Sequence, residues 1–73
     1  MPDATSAAIR VNGIDEPLTA ATIAALLAIR DISPQMLGVA VARNGSVVPR
    51  VDWATTPVRP GDEIEIVLAR QGG

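Results

Sequence analysis

The chain has few side chains that could perform catalysis. It contains eight carboxylic acids and six arginines, but no histidine, lysine, cysteine or tyrosine. Those four absent types supply most general bases, nucleophiles and Schiff-base amines in enzymes. Serines such as Ser33 and Ser46 therefore have no basic partner to activate their hydroxyls, and we interpret them as turn and cap residues. The composition makes an enzyme the least favoured class of function.

The densest cluster of charge is acidic and spans Asp62-Glu63-Ile64-Glu65. Carboxylate oxygens bind hard cations, so a metal site is one interpretation. Alternation along a strand places Glu63 and Glu65 on the same face, however, and no Asn- or Gly-containing loop surrounds them to complete a coordination sphere. We favour a solvated strand face, and we expect that this chain itself binds no metal or cofactor.

The C-terminal pair Gly72-Gly73 offers a different chemistry. A glycine α-carboxylate has no side chain to shield it, and a Gly-Gly backbone adopts conformations closed to other residues. Such a tail can enter a narrow active site of a partner protein, although a frayed end is the alternative interpretation. If the last strand ends near Leu68, five extended residues reach at most about 17 Å. We predict Gly73 as the site of covalent chemistry. The residues that thread into the partner would be Arg70, Gln71 and Gly72.

Length and charge limit the remaining classes of protein. Seventy-three residues form one small domain, which we expect over 7–68, between a flexible N-terminus (1–6) and a flexible tail (69–73). The net charge of −2 disfavours nucleic-acid binding, and the single aromatic residue, Trp53, offers no stacking platform. The apolar runs are much shorter than the roughly 20 residues that cross a bilayer. The first residues do not resemble a signal peptide, so we expect a cytoplasmic protein.

Apolar periodicity and turn residues predict the elements that would position this tail. Strands are predicted where apolar and polar residues alternate, and two Asn-Gly pairs predict tight hairpin turns. A helix is predicted from Thr22 to about Arg30, because Ile23, Leu26 and Leu27 recur at helical spacing. The predicted strands are 7–11, 14–18, 37–43, 46–49 and 63–68, with a short helical turn or a crossover loop at 50–56.

The last predicted strand has the clearest pattern, since its residues alternate between two sets. We expect one buried face, formed by Ile64, Ile66 and Leu68, and one wetter face, formed by Glu63, Glu65 and Val67. A lone hairpin and a short isolated helix are both marginal in water, and packing the helix on a sheet stabilises both. We therefore predict an α+β fold, a ubiquitin-like β-grasp whose mixed sheet of about five strands packs on one main helix. Trp53 either marks a partner surface or covers an open edge of the core, and we favour the core.

Three motifs in the chain are specific in combination. They are Asn44-Gly45-Ser46-Val47-Val48-Pro49-Arg50 followed by Trp53, then Gly61-Asp62-Glu63-Ile64, and finally Gly72-Gly73. Together they resemble the ThiS family of sulfur carriers in thiamine biosynthesis, in which an N-x-x-[IV]-V-P-R-x-x-W segment leads out of the fourth strand. The likeness extends from about Ile9 to the last residue. Relatives vary widely at the positions of Ala69-Arg70-Gln71.

The resemblance implies a cycle of sulfur transfer at Gly73. A ThiF-like adenylyltransferase would use ATP and Mg²⁺ to convert the Gly73 carboxylate to an acyl-adenylate. Sulfur from a cysteine desulfurase would then replace AMP and leave a thiocarboxylate, and a ThiG-like thiazole synthase would take that sulfur into the thiazole ring. The nucleotide would bind to the partner, because this chain has no phosphate-binding loop.

The docking surface and the alternative functions complete these predictions. We predict that Val48, Arg50 and Val67 contact partners, because we expect them on the sheet face away from the helix. A MoaD-like carrier of molybdopterin synthesis uses the same C-terminal device, but such chains are usually longer and carry Pro-Pro before Gly-Gly. A ubiquitin-like modifier joined to lysines through Gly73, or a pure interaction module, is a further alternative.

Overall fold

The computed structural model describes residues 7–69, and its regular elements follow the predicted order. They are β1 (Ala8–Val11), β2 (Ile14–Pro17), α1 (Ile23–Ile29), β3 (Val39–Arg43), β4 (Ser46–Val47), a 3₁₀ turn (Arg50–Asp52) and β5 (Glu63–Leu68). The predicted flexible N-terminus, 1–6, lies outside the described residues, as do residues 70–73 of the predicted tail.

The described strands form one mixed sheet in the order β2-β1-β5-β3-β4. The last strand, β5, lies at the centre, parallel to β1 and antiparallel to β3. Both hairpins, β1–β2 and β3–β4, are antiparallel and flank β5 on opposite sides. The predicted α+β class, a five-stranded mixed sheet with one main helix over 7–69, is confirmed.

Helix α1 is short, and its ends follow from local chemistry. Thr22 is the N-cap, and its hydroxyl accepts a hydrogen bond of 3.1 Å from the Ala25 N–H. This contact satisfies one of the backbone donors that a helix start leaves unpaired. At the other end Asp31 takes a positive φ of 61°, and the Ile32 N–H bonds the Leu27 carbonyl. No helix within 7–69 has the length and apolar composition needed to cross a membrane.

The core lies between α1 and the sheet. The predicted stripe of Ile23, Leu26 and Leu27 is almost fully buried, and burial of each such side chain contributes about 1.5–3 kcal/mol. These residues pack with the inward side chains of the central strands into one cluster. The other buried members are Ile9, Val11, Ala20, Ile32, Val41, Val48, Trp53, Val58, Ile64 and Ile66.

One predicted core position is wrong. Leu68 continues the alternation of β5, but its side chain is 52 % exposed. It pairs with Val39 at the end of the β3–β5 ladder, where Val39 is itself only partly buried. The core does not extend to this end of the sheet, although the strand does.

The two hairpin asparagines have a second role that the turn pattern does not predict. Both take positive φ, as an Asn-Gly hairpin turn requires. In addition, the Asn12 amide accepts from the Ile66 N–H at 2.8 Å and donates to the Ile66 carbonyl at 3.2 Å. The Asn44 amide oxygen accepts from the Glu63 N–H at 2.9 Å. These side chains satisfy backbone groups of β5 beyond its strand pairing, so each turn also fixes the central strand.

Candidate functional site

The predicted reactive tail begins where β5 ends. Beyond Leu68, the Ala69 N–H donates a hydrogen bond of 2.7 Å to the Gly38 carbonyl, just before β3. The four residues that follow Ala69 span at most about 14 Å when extended. These four are the predicted site residues Arg70, Gln71, Gly72 and Gly73, and they lie outside the described residues. Their roles stay predictions.

An apolar surface lies on the face of the sheet opposite α1, on strands β3, β4 and β5. Ala40 of β3 pairs with Val67 of β5, and Ala42 of β3 pairs with Val47 of β4. Strand alternation points these four side chains away from the core. Val47 and Val67 are 76 % and 59 % exposed. We call Ala40, Ala42, Val47 and Val67 the outer strip.

Acidic residues border the outer strip. Glu65 pairs with Ala42 across β3 and β5, and Glu63 pairs with Arg10 across β1 and β5. Both glutamates are exposed, as a solvated strand face requires. Among residues 7–69, no three acidic, cysteine or histidine side chains lie close enough to hold a metal ion.

The structure separates the three residues that were predicted to dock partners. Val67 lies on the outer strip, so its predicted exposure is confirmed. The prediction for Val48 is wrong, because that side chain is only 8 % exposed and belongs to the core. Val47 points outward from β4, and the next residue in an extended chain must therefore point inward. Val48 is consequently covered by the protein itself and offers no surface to a partner.

Arg50 takes part in the folding of the V-P-R-x-x-W segment. Its guanidinium carbon lies 4.6 Å from the centroid of the Trp53 ring, which is a cation–π arrangement. It also donates a hydrogen bond to the Pro34 carbonyl. The Trp53 indole N–H in turn donates to the Val48 carbonyl at 3.0 Å. Arg50 remains exposed, so its contact with partners stays a prediction, but both of these contacts are internal.

Asp62 departs from the predicted solvated acidic face, because it is only 6 % exposed. Its carboxylate accepts hydrogen bonds from Arg43 Nε at 2.8 Å, Asn44 Nδ2 at 3.0 Å and the Arg59 N–H at 2.8 Å. Burial alone raises the pKa of Asp62. The hydrogen bonds from Asn44, Arg43 and Arg59, with the Arg43 charge, outweigh burial and hold that pKa below its ordinary value.

Replacement of Asp62 should lower stability in a pH-dependent way. Because the pKa is lower in the folded than in the unfolded chain, the ionised carboxylate stabilises the fold above the unfolded value of about 3.9. That stabilisation is lost as the pH falls through the folded pKa. Asp62→Asn should cost about 1–3 kcal/mol at pH 7, and the difference should shrink below about pH 4. Urea unfolding from pH 7 to acid measures it.

The matched control for Asp62 is Asp52→Asn, which removes the same charge from an exposed position in the 3₁₀ turn. It should change the free energy of unfolding by less than about 0.5 kcal/mol at pH 7. A difference between Asp62→Asn and the wild type that stays constant down to the acid transition would contradict the assigned hydrogen-bonded carboxylate.

Two features of the site were missed in the sequence. The outer strip was visible in part, since Val39-Ala40-Val41-Ala42 alternates large with small residues, and the small positions prove to face outward. Gly38 carried no such signal. Its role depends on Ala69, which lies far along the chain and meets it only in the folded sheet.

Comparison with known proteins agrees with this architecture. The sequence model of the ThiS family matches residues 7–73. A crystal structure of a thiamine biosynthesis protein (ThiS) from Geobacter metallireducens is similar, with a TM-score of 0.72 and 29 % sequence identity. That alignment covers 90 % of this chain and 99 % of the other. No curated protein matches the chain. The family match covers nearly the whole sequence, including the sheet and the Gly72-Gly73 pair, and this chain therefore belongs to the ThiS family.

Proposed function

We propose that this chain is a sulfur carrier of thiamine biosynthesis, and that Gly73 carries the sulfur. Family membership over 7–73 and the likeness to a thiamine biosynthesis protein support the carrier role. The single observation that carries the proposal is the position of Ala69. It lies one residue beyond the central strand β5, bonded to Gly38, and the four residues Arg70-Gln71-Gly72-Gly73 follow it in the sequence.

The chemistry would proceed in two displacements at the Gly73 carboxyl group. A carboxylate oxygen attacks the α-phosphorus of ATP, pyrophosphate leaves, and an acyl-adenylate forms. A sulfur nucleophile such as hydrosulfide then attacks the acyl carbon, and AMP leaves with the C–O bond electrons. The product is a C-terminal thiocarboxylate. Activation is needed because a carboxylate is a poor electrophile, whereas AMP is a good leaving group.

In this scheme the catalysts are partner proteins, and the chain acts as their substrate. A ThiF-like adenylyltransferase would hold ATP and Mg²⁺. A cysteine desulfurase would supply sulfur as a persulfide, which a thiol reductant would release as hydrosulfide, and a ThiG-like thiazole synthase would receive the sulfur from the carrier. The absence of histidine, lysine and cysteine in the sequence is compatible with this division, since a carrier needs no general base of its own.

The outer strip is the surface we propose for docking the adenylyltransferase. Its four side chains are apolar and small or β-branched, so they lose little rotamer entropy when a partner covers them. Val67 lies on β5, two residues before Ala69, so a partner that covers the strip also lies close to the start of the tail. Docking and presentation of the carboxylate would then occur on adjoining surfaces.

The test is an intact-mass measurement. Incubation with a ThiF-like enzyme, Mg-ATP and sulfide should change the mass of this chain by the replacement of one oxygen with sulfur. The same reaction with a chain that lacks Gly73, or without ATP, should leave the mass unchanged. Because the sequence has no cysteine, alkylation by iodoacetamide should follow sulfur loading. No change in mass with an enzyme that loads its own carrier would contradict the proposal.

A further inference from the structure

The contact between Gly38 and Ala69 is the last described backbone contact before residues 70–73. The Ala69 N–H donates to the Gly38 carbonyl at 2.7 Å, one position beyond the final Val39–Leu68 pair of the β3–β5 ladder. The ladder therefore extends to the residue from which the tail starts. Its last bond fixes Ala69 against the chain that enters β3.

This contact favours glycine at position 38. Its φ is +77°, and a Cβ built there would lie 3.1 Å from the Ala69 carbonyl oxygen and 3.4 Å from Ala69 Cβ. A separation of 3.1 Å is well inside the usual carbon–oxygen contact, and the atom met is backbone, which cannot rotate away. A side chain at Gly38 would therefore push the backbone of Ala69 away by a few tenths of an ångström.

The other described glycines differ in this respect. Gly13, Gly45 and Gly61 also have positive φ, between +83° and +86°, but a Cβ at any of them would meet nothing within 4 Å. Their requirement for glycine is confined to their own backbone conformation. Of the glycines that the structure describes, Gly38 is the one at which an added Cβ would come within 4 Å of a segment distant in sequence.

We infer that Gly38 is a positioning residue, which fixes Ala69 and so the point at which residues 70–73 begin. The inference rests on the proposed function, because it matters for activity only if Gly73 must reach a partner's active site. Four extended residues span at most about 14 Å, so the position of Ala69 limits how far from the sheet the Gly73 carboxylate could react. Small misplacements of a reacting group reduce rates strongly, since productive geometries are narrow.

Positioning and docking predict different kinetic signatures. The outer strip is unchanged by a substitution at Gly38, so the KM of the adenylyltransferase for this chain should change less than about twofold. The fraction of docked complexes in which the Gly73 carboxylate lies next to the α-phosphorus of ATP should fall instead. Weakening of the single backbone hydrogen bond from Ala69 to Gly38 should lower kcat by about threefold to tenfold.

The experiment compares Gly38→Ala with the matched control Gly45→Ala. Both place alanine at a similar positive φ, so both carry similar local strain, but only the former meets Ala69. Initial rates of pyrophosphate release give kcat and KM for each chain, and amide hydrogen exchange follows the Ala69 N–H. Gly38→Ala should lower kcat and speed the Ala69 exchange, whereas Gly45→Ala should match the wild type in both.

A second variant covers the case in which Gly38→Ala does not fold. Ala69→Pro removes the N–H donor without introducing a side chain at Gly38 or strain at positive φ, and it should lower kcat in the same way. Equal kcat values for the two glycine variants, or equal Ala69 exchange in both, would overturn the inference. If a competent enzyme does not adenylate even the wild-type chain, the proposed function is wrong, while the exchange rates still decide whether Gly38 fixes Ala69.

Discussion

Replacing Val67 with glutamate should raise the KM of the adenylyltransferase for this chain by roughly tenfold to a hundredfold. Val67 lies on the outer strip, and a partner that covers the strip would remove a new carboxylate from water without a compensating charge. The effect is enhanced because Glu65 already borders the strip, so the substitution adds like charge on the same strand face. Initial adenylation rates over a range of carrier concentrations measure it, with kcat expected near the wild-type value.

The matched control for this prediction is Val51→Glu. Val51 is 85 % exposed in the 3₁₀ turn, outside the sheet, and the substitution changes the net charge by the same amount. Both positions are exposed in the free protein, so both variants should unfold within about 0.5–1 kcal/mol of the wild type. Equal KM values for the two variants would contradict docking through the outer strip. An increase caused by Val51→Glu alone would move the docking surface to the 3₁₀ turn.

Together with Gly38→Ala, the Val67 variant separates two steps of one reaction. Coverage of the outer strip determines the affinity with which the carrier docks, and a loss of that affinity raises KM. The Gly38–Ala69 contact determines the fraction of docked carriers whose Gly73 carboxylate lies in position to attack ATP, and a smaller fraction lowers kcat. A carrier that is partly unfolded raises the apparent KM and leaves kcat unchanged, because only its folded fraction is a substrate, so the KM of each variant is corrected for its folded fraction. The pair of variants therefore tests the arrangement of the site and not only its integrity.

The elements were predictable because their signals are local. Ile23, Leu26 and Leu27 form a helical stripe within five residues, and Ile64 and Ile66 alternate with glutamates in one strand. Each pattern predicts that the apolar face of its element is buried, and the apolar faces of α1 and β5 are buried at these positions. The Asn-Gly pairs are similarly local, since positive φ at these positions selects the residue types.

The face of a strand is less predictable than the strand itself. Val47 and Val48 are identical in type, so composition cannot show which of them points to the core. Pairing of Val47 with Ala42 determines this, and a shift by one residue would exchange the two faces. The prediction placed Val48 outward for this reason. Val67 was placed correctly because glutamates precede it at alternate positions in β5 and identify the wetter face.

Contacts between distant residues account for what the sequence did not show. The sequence analysis grouped Asp62 with its acidic neighbours, but its partners Arg43 and Asn44 lie in the β3–β4 hairpin. Asn12 bonds Ile66 across 54 positions, and Gly38 meets Ala69. No local pattern encodes these pairs, because they exist only after β5 inserts between the two hairpins. The candidate site was therefore predicted by its motif and its tail, while its supporting contacts required the fold.

Trp53 is the position at which substitution should cost the most stability. Its side chain is 2 % exposed, its indole N–H bonds the Val48 carbonyl, and its backbone carbonyl accepts from the Ala24 N–H of α1 at 2.9 Å. Trp53→Ala would leave a large cavity and would remove the side-chain donor to the Val48 carbonyl, at a cost of about 3–5 kcal/mol. A domain of this length has roughly 4–11 kcal/mol in total, so much of the population should unfold near physiological temperature.

Urea unfolding followed by far-ultraviolet circular dichroism measures this cost, because Trp53 is the only tryptophan and fluorescence is lost with it. Two variants divide the effect into its parts. Trp53→Phe keeps most of the ring and removes the N–H donor, which should cost about 1–3 kcal/mol. Arg50→Ala removes the cation above the ring without opening the core, which should cost about 0.5–1 kcal/mol.

The same measurements decide between the two interpretations of a lone tryptophan. A residue that anchors partners would, when replaced, raise KM and leave the free energy of unfolding nearly unchanged. A core residue does the reverse once rates are corrected for the folded fraction. The buried ring predicts the second outcome, with normal KM for the folded part of Trp53→Phe. If the free energy of unfolding of Trp53→Ala lies within about 1 kcal/mol of the wild-type value, the assigned packing is contradicted. Trp53 would then be interpreted as part of a surface that contacts partners.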